Sequence, residues 1–389
     1  MSVKLIGESG LRYVAWQMLT GDRPKYVGLI LAIAFSTFLM SHQMSIFVGL
    51  LDRTRSQIRD IQDARIWVMD PKTQYLDEVR ALSFQDLYYV RGVEGVLWAA
   101  PLLKGVARAK APDGKFRNSI LLGVDDASLT GLPQKFLAGD WRGIRAPKSV
   151  AIDRVGFEYF FPGQPYQTGL ELEMGAQVVR VAAVVDASPP FVNLPVVYAR
   201  YSEALDMVGR EPRQMSFVLC KPRPGVGEEE LARRITQATG LKAVTAEQFG
   251  WETIWYYIRN TGIPINFGIT ICIALLVGAL VSGQTFSLFI LENMRYFGAL
   301  KAIGVTSVRI VGMIVMQGVV VLAIGYSVGI ALTALFFELT KDNLDLRGFR
   351  LLPEVMLLTG GLIAAVVLAA TIVSVRRVVV VDPAVVFRG

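Results

Sequence analysis

The chain has 389 residues, of which 53% are hydrophobic and only 19% charged, with a net charge of +7 and a positive mean hydropathy. That balance excludes a wholly soluble protein. One histidine and two cysteines leave no basis for a His-based catalytic triad, a His-rich zinc site or a disulfide scaffold.

In chain order, residues 1–25 read as a cytoplasmic amphipathic segment. Residues 26–51 contain no Asp, Glu, Lys or Arg, and three more such runs follow at 260–291, 310–337 and 355–375. About 20 apolar residues cross the hydrocarbon core as a helix, so each run predicts a transmembrane helix. A secretory signal has an apolar core of about 7–15 residues, shorter than the first run, followed by a small-residue cleavage site. Here "SHQMSIFVGLLDRTR" follows instead, which predicts an anchor.

Orientation follows from the short flanking segments. Lys4, Arg12, Arg23 and Lys25 precede the first run, Arg295, Lys301 and Arg309 separate the second from the third, and Arg376, Arg377 and Arg388 follow the fourth. Only four acids, Glu8, Asp22, Glu292 and Asp382, face those ten cations, so six of the seven net positive charges lie there. The positive-inside rule puts these segments, both termini included, on the cytoplasmic side of the membrane. The basic excess thus serves topology beside a lipid bilayer, and no nucleic-acid partner is expected. Residues 52–259 are then extracytoplasmic, as is the short loop 338–354. Arg53, Arg55 and Arg59 run against the rule, which long translocated domains override.

The 52–259 region predicts mixed α and β structure. "SFQDLYYVRGVEGV" carries a capping-box pattern at Ser83 and Asp86, with Gly92 as a stop. "LELEMGAQVVRVAAVV" alternates on both sides of Met174-Gly175 and predicts a hairpin. "GVGEEELARRITQATG" places Glu228, Glu229 and Glu230 in a first turn and Gly240 at the end of a helix. Asp125-Asp126 reads as a solvated turn, and no catalytic constellation appears. "DASPPFVNLPVVYARY" (186–201) reads as an exposed loop entering a strand, and "EYFFPGQPY" (158–166) as an aromatic core cluster beside a turn. His42, toward the outer end of the first run, reads as a hydrogen-bonding contact to a neighbouring helix. Cys220 lies in the aqueous domain and Cys272 in the second run, too separate for a disulfide. No metal site is expected.

Between the second and third runs, "ENMRYFGALKAIGVTS" places Tyr296, Phe297, Leu300 and Ile303 within an arc of about 120° on a helical wheel, with Arg295 and Lys301 outside it. Gly304 supplies a stop. The segment 292–309 therefore predicts a short amphipathic helix on the cytoplasmic side. Ala274, Gly278 and Ser282 in the second run, and Gly325 with Gly329 in the third, are small residues spaced for close helix packing within the chain or between two copies.

"LENMRYFGALKAIGVTSVRI" resembles the E-x-x-R-x-x-G-x-L-K-A-x-G-A-S stretch of the permease subunits of MacB/LolC/FtsX-type ABC transporters, with Val305 where Ala is usual. "VVVVDPAVVFRG" resembles their C-terminal ending, and "AIAFSTFLMSHQMSIFVGLLDR" with "DARIWVMDP" is most similar to DevC-type export permeases. The resemblance implies an α-helical membrane protein of four transmembrane helices, with a large α+β extracytoplasmic domain inserted between helices 1 and 2. It also implies a bacterial inner (plasma) membrane with the large domain periplasmic, a homodimer, a cytoplasmic ABC ATPase dimer, and a periplasmic membrane-fusion adaptor with an outer-membrane duct. The chain has no G-x-x-x-x-G-K-[ST], so it is not expected to be an enzyme alone, and ATP and Mg would be bound by the ATPase. The coupling residues would be Glu292, Arg295, Phe297, Leu300, Lys301, Ile303 and Gly304. The expected function is mechanical export of an amphiphilic or periplasmic substrate. Lipoprotein or lipid extraction and FtsX-like signalling to a periplasmic partner are the alternatives. The cargo is not legible.

Overall fold

The computed structural model describes residues 8–380 apart from 22, 176, 209–213, 342 and 344–345. The chain divides into two units, Met1–Gly49 with Gly262–Gly389, and Leu50–Thr261. From the N-terminus, α1 (Glu8–Gly21) and α2 (Arg23–Thr54) precede the short α3 (Ser56–Asp60). Strands β1 (Ile66–Met69) and β2 (Leu82–Ser83) lead to α4 (Phe84–Arg91), then β3 (Val96–Lys110) and β4 (Phe116–Val124). Next come β5 (Phe136–Gly139), β6 (Ser149–Asp153), α5 (Arg154–Phe160), β7 (Glu171–Met174) and β8 (Gln177–Val185). They are followed by β9 (Val196–Arg200), α6 (Tyr201–Val208), β10 (Gln214–Met215) and β11 (Phe217–Pro222). After α7 (Glu228–Thr239), β12 (Lys242–Thr245) and α8 (Ala246–Asn260) come α9 (Ile263–Glu292), α10 (Met294–Ala302), α11 (Ser307–Thr340) and α12 (Pro353–Val380).

In the second unit ten strands form one sheet, ordered β12-β1-β11-β3-β4-β9-β6-β8-β5, with β7 bridging β3 and β8. That bridge closes β3, β4, β9, β6, β8 and β7 into a ring. β3 serves both parts. Its first half pairs with β11 (Leu102 opposite Phe217) and its second half with β4 (Leu103 opposite Gly123). Successive side chains of a strand point to opposite faces. Accordingly Ile66 and Val68 enter a core with α4, α6 and α7, while Trp67 and Met69 enter a second core with Ile58 of α3 and Phe249 of α8. All four β1 residues are buried, as a strand covered on both faces requires.

Local chemistry sets several boundaries. Ser83 and Asp86 form a capping box at α4, and Thr245 with Gln248 forms another at α8. Gly240 ends α7 in the left-handed region. The 171–185 hairpin pairs Met174 with Gln177. Asp125 accepts from the backbone N–H and hydroxyl of Ser128, fixing a turn.

Among the described residues, four helices are long and apolar enough to cross a membrane, with candidate spans at Tyr26–Thr54, Ile263–Val281, Ser307–Thr340 and Pro353–Val373. Their common core joins Leu29, Ile33 and Met40 of α2 to Val321 of α11 and Ile363 of α12. Polar seams cross it: Ser41 Oγ meets Thr333 Oγ1 at 2.7 Å, and Tyr326 donates to the Met356 carbonyl at 2.8 Å. In hydrocarbon such bonds contribute about 0.6–2 kcal/mol each.

Candidate functional site

The segment between α9 and α11 is held by its own backbone and by one buried face. Asn293 turns the chain, its N–H and side-chain Nδ2 donating to the Phe289 carbonyl at 3.2 and 2.8 Å. At the far end, Gly304 N–H donates to the Lys301 carbonyl and Val305 N–H to the Leu300 carbonyl, both at 3.0 Å, with Gly304 at φ +93°. This is a Schellman closure, which demands the left-handed residue that glycine supplies without a Cβ clash. Phe297 and Leu300 are buried in a core with Leu11, Ala15 and Leu19 of α1 and Ile310, Met313 and Ile314 of α11. Gln317 Nε2 fixes α1 in place by donating to the Ala15 carbonyl at 2.8 Å. Burying two such side chains from water contributes about 1.5–3 kcal/mol each, which holds a helix too short to be stable alone.

The helical-wheel arc needs correcting. Phe297 and Leu300 face inward, but Tyr296 is 63% exposed and Ile303 60% exposed. The helix ends at Ala302, so Ile303 leaves the wheel's geometry, while Tyr296 sits at the edge of the arc. The outward surface therefore includes Glu292, Arg295, Tyr296, Ala299, Ala302, Ile303 and Gly304, with Lys301 half-buried at its margin. Val308 and Arg309, at the start of α11, are exposed too.

Gly278, Gly325 and Gly329 pack closely against α2 of the same chain. A Cβ at Gly278 would lie 2.7 Å from Ser36 Oγ, one at Gly325 2.8 Å from Ile33 Cβ, and one at Gly329 2.5 Å from Thr37 Cβ. Ala274 is buried, and the side chain of Ser282 lies outside the described residues. His42 departs from its expected role. Its ring packs against Phe38, Phe336 and Phe337, with the Phe336 centroid 4.5 Å away, and its Nε2 has no hydrogen-bond partner among the described residues. Aromatic neighbours fill the positions where an acceptor was expected. Of the C-terminal motif, 378–389, residues 381–389 lie outside the described residues.

In the second unit, the segments that enter and leave the domain are fastened to each other and to the sheet. Asp52 accepts from Arg55 at 3.0 Å and Arg59 at 2.7 Å, and the Arg55 guanidinium lies 5.0 Å over the Trp251 ring of α8. Asp60, at the end of α3, accepts from the backbone N–H and hydroxyl of Ser188, both at 2.7 Å. On α8, Tyr257 donates to Asp77 at 3.0 Å, and Asp77 also pairs with the buried Lys104 ammonium of β3. Tyr75 stacks on Tyr256 at 3.9 Å. Burial pushes the Lys104 pKa down while Asp77 pulls it up, and burial together with the Asp77 carboxylate raises that of Tyr257.

The 186–195 loop also differs from expectation. Pro189, Pro190 and Pro195 are buried, Ser188 is bonded to Asp60, and Phe191 packs 4.4 Å from Tyr257. Phe191 packs against the C-terminal part of α8, leaving Val192 and Asn193 exposed. Residues 158–166 do form an aromatic cluster, with Phe160 and Phe161 buried and Phe157 near Tyr166. Sequence reasoning missed Asp60, Asp77, Lys104 and Tyr257. A lysine among the apolar residues of "APLLKGVARAK" was the available signal.

A first long apolar helix, a folded α/β domain, and three further apolar helices define a membrane protein of the ABC transporter permease class. Residues 27–238 match the MacB-like periplasmic core domain and residues 268–383 the FtsX-like permease C-terminal domain, so the chain belongs to the MacB/FtsX family of permeases. An uncharacterized ABC transporter permease of Mycobacterium bovis is 26% identical over 308 residues, 78% of this chain and 78% of that one. A permease of the same description from Mycobacterium tuberculosis aligns with the same values. The extracellular domain of the noncanonic ABC-type transporter YknZ from Gram-positive bacteria is 16% identical, covering 47% of this chain and 98% of that chain, with a TM-score of 0.35. The periplasmic region of MacB from Actinobacillus actinomycetemcomitans is 16% identical over 52% and 96%, with a TM-score of 0.38.

Proposed function

We propose that this chain is the permease subunit of an ATP-driven exporter that transmits motion across the inner membrane instead of binding nucleotide. A separate cytoplasmic ATPase dimer, carrying ATP and Mg, presses on α10 of each of two copies. α9 and α2 carry the displacement outward, and the fastened α3 and α8 deliver it to the sheet. The outer domain then passes an amphiphilic or periplasmic cargo to a membrane-fusion adaptor and an outer-membrane duct. The observation that supports this most is the division of α10 into two faces. Phe297 and Leu300 are embedded in the bundle core, while Arg295, Tyr296 and Ile303 are presented outward. A force applied to the outer face reaches α1 and α11 through close-packed side chains, which transmit strain instead of absorbing it.

The test is co-purification of the ATPase with the full chain. Arg295→Glu with Tyr296→Asp alters the exposed face alone, and interface aromatics and arginines of this kind contribute about 2–4 kcal/mol each. ATPase recovery should fall at least ~30-fold while the permease stays monodisperse, by the relation of ~1.4 kcal/mol to tenfold. Unchanged recovery would refute the coupling role.

A further inference from the structure

One cleft in the second unit runs along α8, beside the contacts that fasten that helix. It is open, with a volume of 760 Å³, and runs between the loop after β1 and the C-terminal half of α8. Four of its lining residues, Lys72, Arg80, Lys242 and Arg259, are cations, against one acid, Glu252. Lys242 is committed to Glu252 at 2.7 Å and to the Thr73 carbonyl at 2.8 Å, and Arg80 to Glu78 at 2.8 Å. Lys72 and Arg259 have no ion-pair partner among the described residues, and the Arg259 guanidinium lies 5.2 Å over the ring of Trp255. That indole is 50% exposed although it borders the cleft.

The position of these groups along the chain gives them meaning. Asn260, also in the lining, is three residues before Ile263, where the candidate span of α9 begins. Three residues reach about 11 Å at most, so one edge of the cleft lies within that distance of the start of the span. Outer segments next to spans are ordinarily poor in Lys and Arg. Two unpaired cations there, beside an exposed indole, match a ligand with an anionic oxygen cluster at one end and apolar atoms at the other. Arg and Lys form charge-assisted hydrogen bonds with phosphate oxygens, and Trp favours the boundary between headgroup and acyl chain.

We infer that this cleft binds the phosphate-bearing headgroup of an anionic phospholipid, with Lys72 and Arg259 on the phosphate and Trp255 against the glycerol and first methylenes. The assignment rests on the permease reading only for which leaflet supplies the lipid. A headgroup held at the base of α8 would be moved with that helix, so the cleft is a place where the same displacement can lift an amphiphile from the membrane surface.

The experiment uses the full-length protein in a nonionic detergent, titrated with dioleoyl phosphatidylglycerol or dioleoyl phosphatidylcholine, with bound lipid counted by native mass spectrometry. Wild type should hold one phosphatidylglycerol about tenfold or more tightly than Lys72→Gln/Arg259→Gln, as loss of charge-assisted contacts implies. Trp255→Ala should weaken the same lipid, and phosphatidylcholine, whose phosphate is neutralised by its own choline, should bind about tenfold or more weakly than phosphatidylglycerol. Equal phosphatidylglycerol affinity in wild type and the double variant overturns the inference. So does displacement of the lipid by millimolar inorganic phosphate with no effect of Trp255→Ala, which marks a free-anion site. Both variants lie on the surface, and ATPase co-purification should be unchanged in them. Failure of wild type to recover any ATPase would count against the permease reading and leave the lipid measurement standing.

Discussion

At single positions, the close approaches and buried charges set measurable limits. Gly329 of α11 lies where a Cβ would be 2.5 Å from Thr37 Cβ and 2.6 Å from the Ala34 carbonyl oxygen. Gly329→Leu should therefore lower the melting temperature of the full chain in detergent, with an overpacking cost of about 1–3 kcal/mol. Gly361→Ala, on α12 with nothing within 4 Å, is the control and should be neutral or slightly stabilising, by up to about 1 kcal/mol. The Lys104–Asp77 pair behaves differently. Asp77→Asn leaves a buried ammonium without its counter-charge, at a cost toward the lower end of about 3–5 kcal/mol because the Asp77 side chain is 32% exposed. Lys104→Met in the same chain should restore most of that stability, since the buried charge has been removed too. The pair also has a pH signature. Burial holds the Lys104 pKa below its ordinary 10.5, so between the two values the unfolded chain binds more protons than the folded one. Stability must then rise with pH across that window up to about 10.5, and Lys104→Met should flatten this slope in alkaline melting curves.

At the scale of elements, boundaries written in local chemistry were legible and contacts between distant segments were not. The Ser83–Asp86 box, the left-handed Gly240 and the Met174-Gly175 hairpin each depend on a few adjacent residues, and the structure has them where the pattern puts them. Asp60 with Ser188, and Asp77 with Lys104 and Tyr257, join residues far apart in sequence, and neither partner alone carries a periodic signal. For the same reason the 186–195 loop read as exposed: its prolines mark a turn, while its burial is decided by α3 and α8. In the 292–309 segment the wheel located the helix but not its inward direction, because α1 determines which residues are covered. The Gly304 closure makes that element testable by itself. Gly304→Val forces a β-branched residue to φ +93°, at a cost of about 1–3 kcal/mol. Hydrogen exchange of residues 294–305 should accelerate roughly 5–100-fold, while exchange in the second unit stays as in wild type. Gly304→Asn, which tolerates the left-handed region, should show a smaller effect.

At the scale of the whole chain, the second unit is entered through α3 and left through α8, and both are tied to one sheet or its loops. Topology comes first. In a Cys272→Ser background, where the remaining Cys220 is fully buried, Ser128→Cys should react with an impermeant maleimide on intact cells, and Ile303→Cys only after permeabilisation. The reverse pattern would invert the orientation that the flanking cations imply. Under the proposed mechanism, how displacement would pass outward depends on whether the two stalk segments slide against each other or move together. The contacts favour joint motion: Arg55 lies over Trp251, and α3 and α8 are each fastened to the sheet or its loops through Asp60 and Tyr257. A Cβ built on Gly250 stands 3.6 Å from Arg55 Cβ, inside the ~3.5–4.5 Å range that a disulfide spans without backbone movement. Arg55→Cys with Gly250→Cys can therefore staple the two segments as they stand. If they move as one body, the oxidised full complex should hydrolyse ATP within about twofold of its dithiothreitol-reduced form, a difference of only ~0.4 kcal/mol in barrier. Sliding would instead be blocked by the staple, and turnover would fall on oxidation and recover on reduction. That result would move the mechanical work of the cycle from the domain as a whole to the Arg55–Trp251 contact.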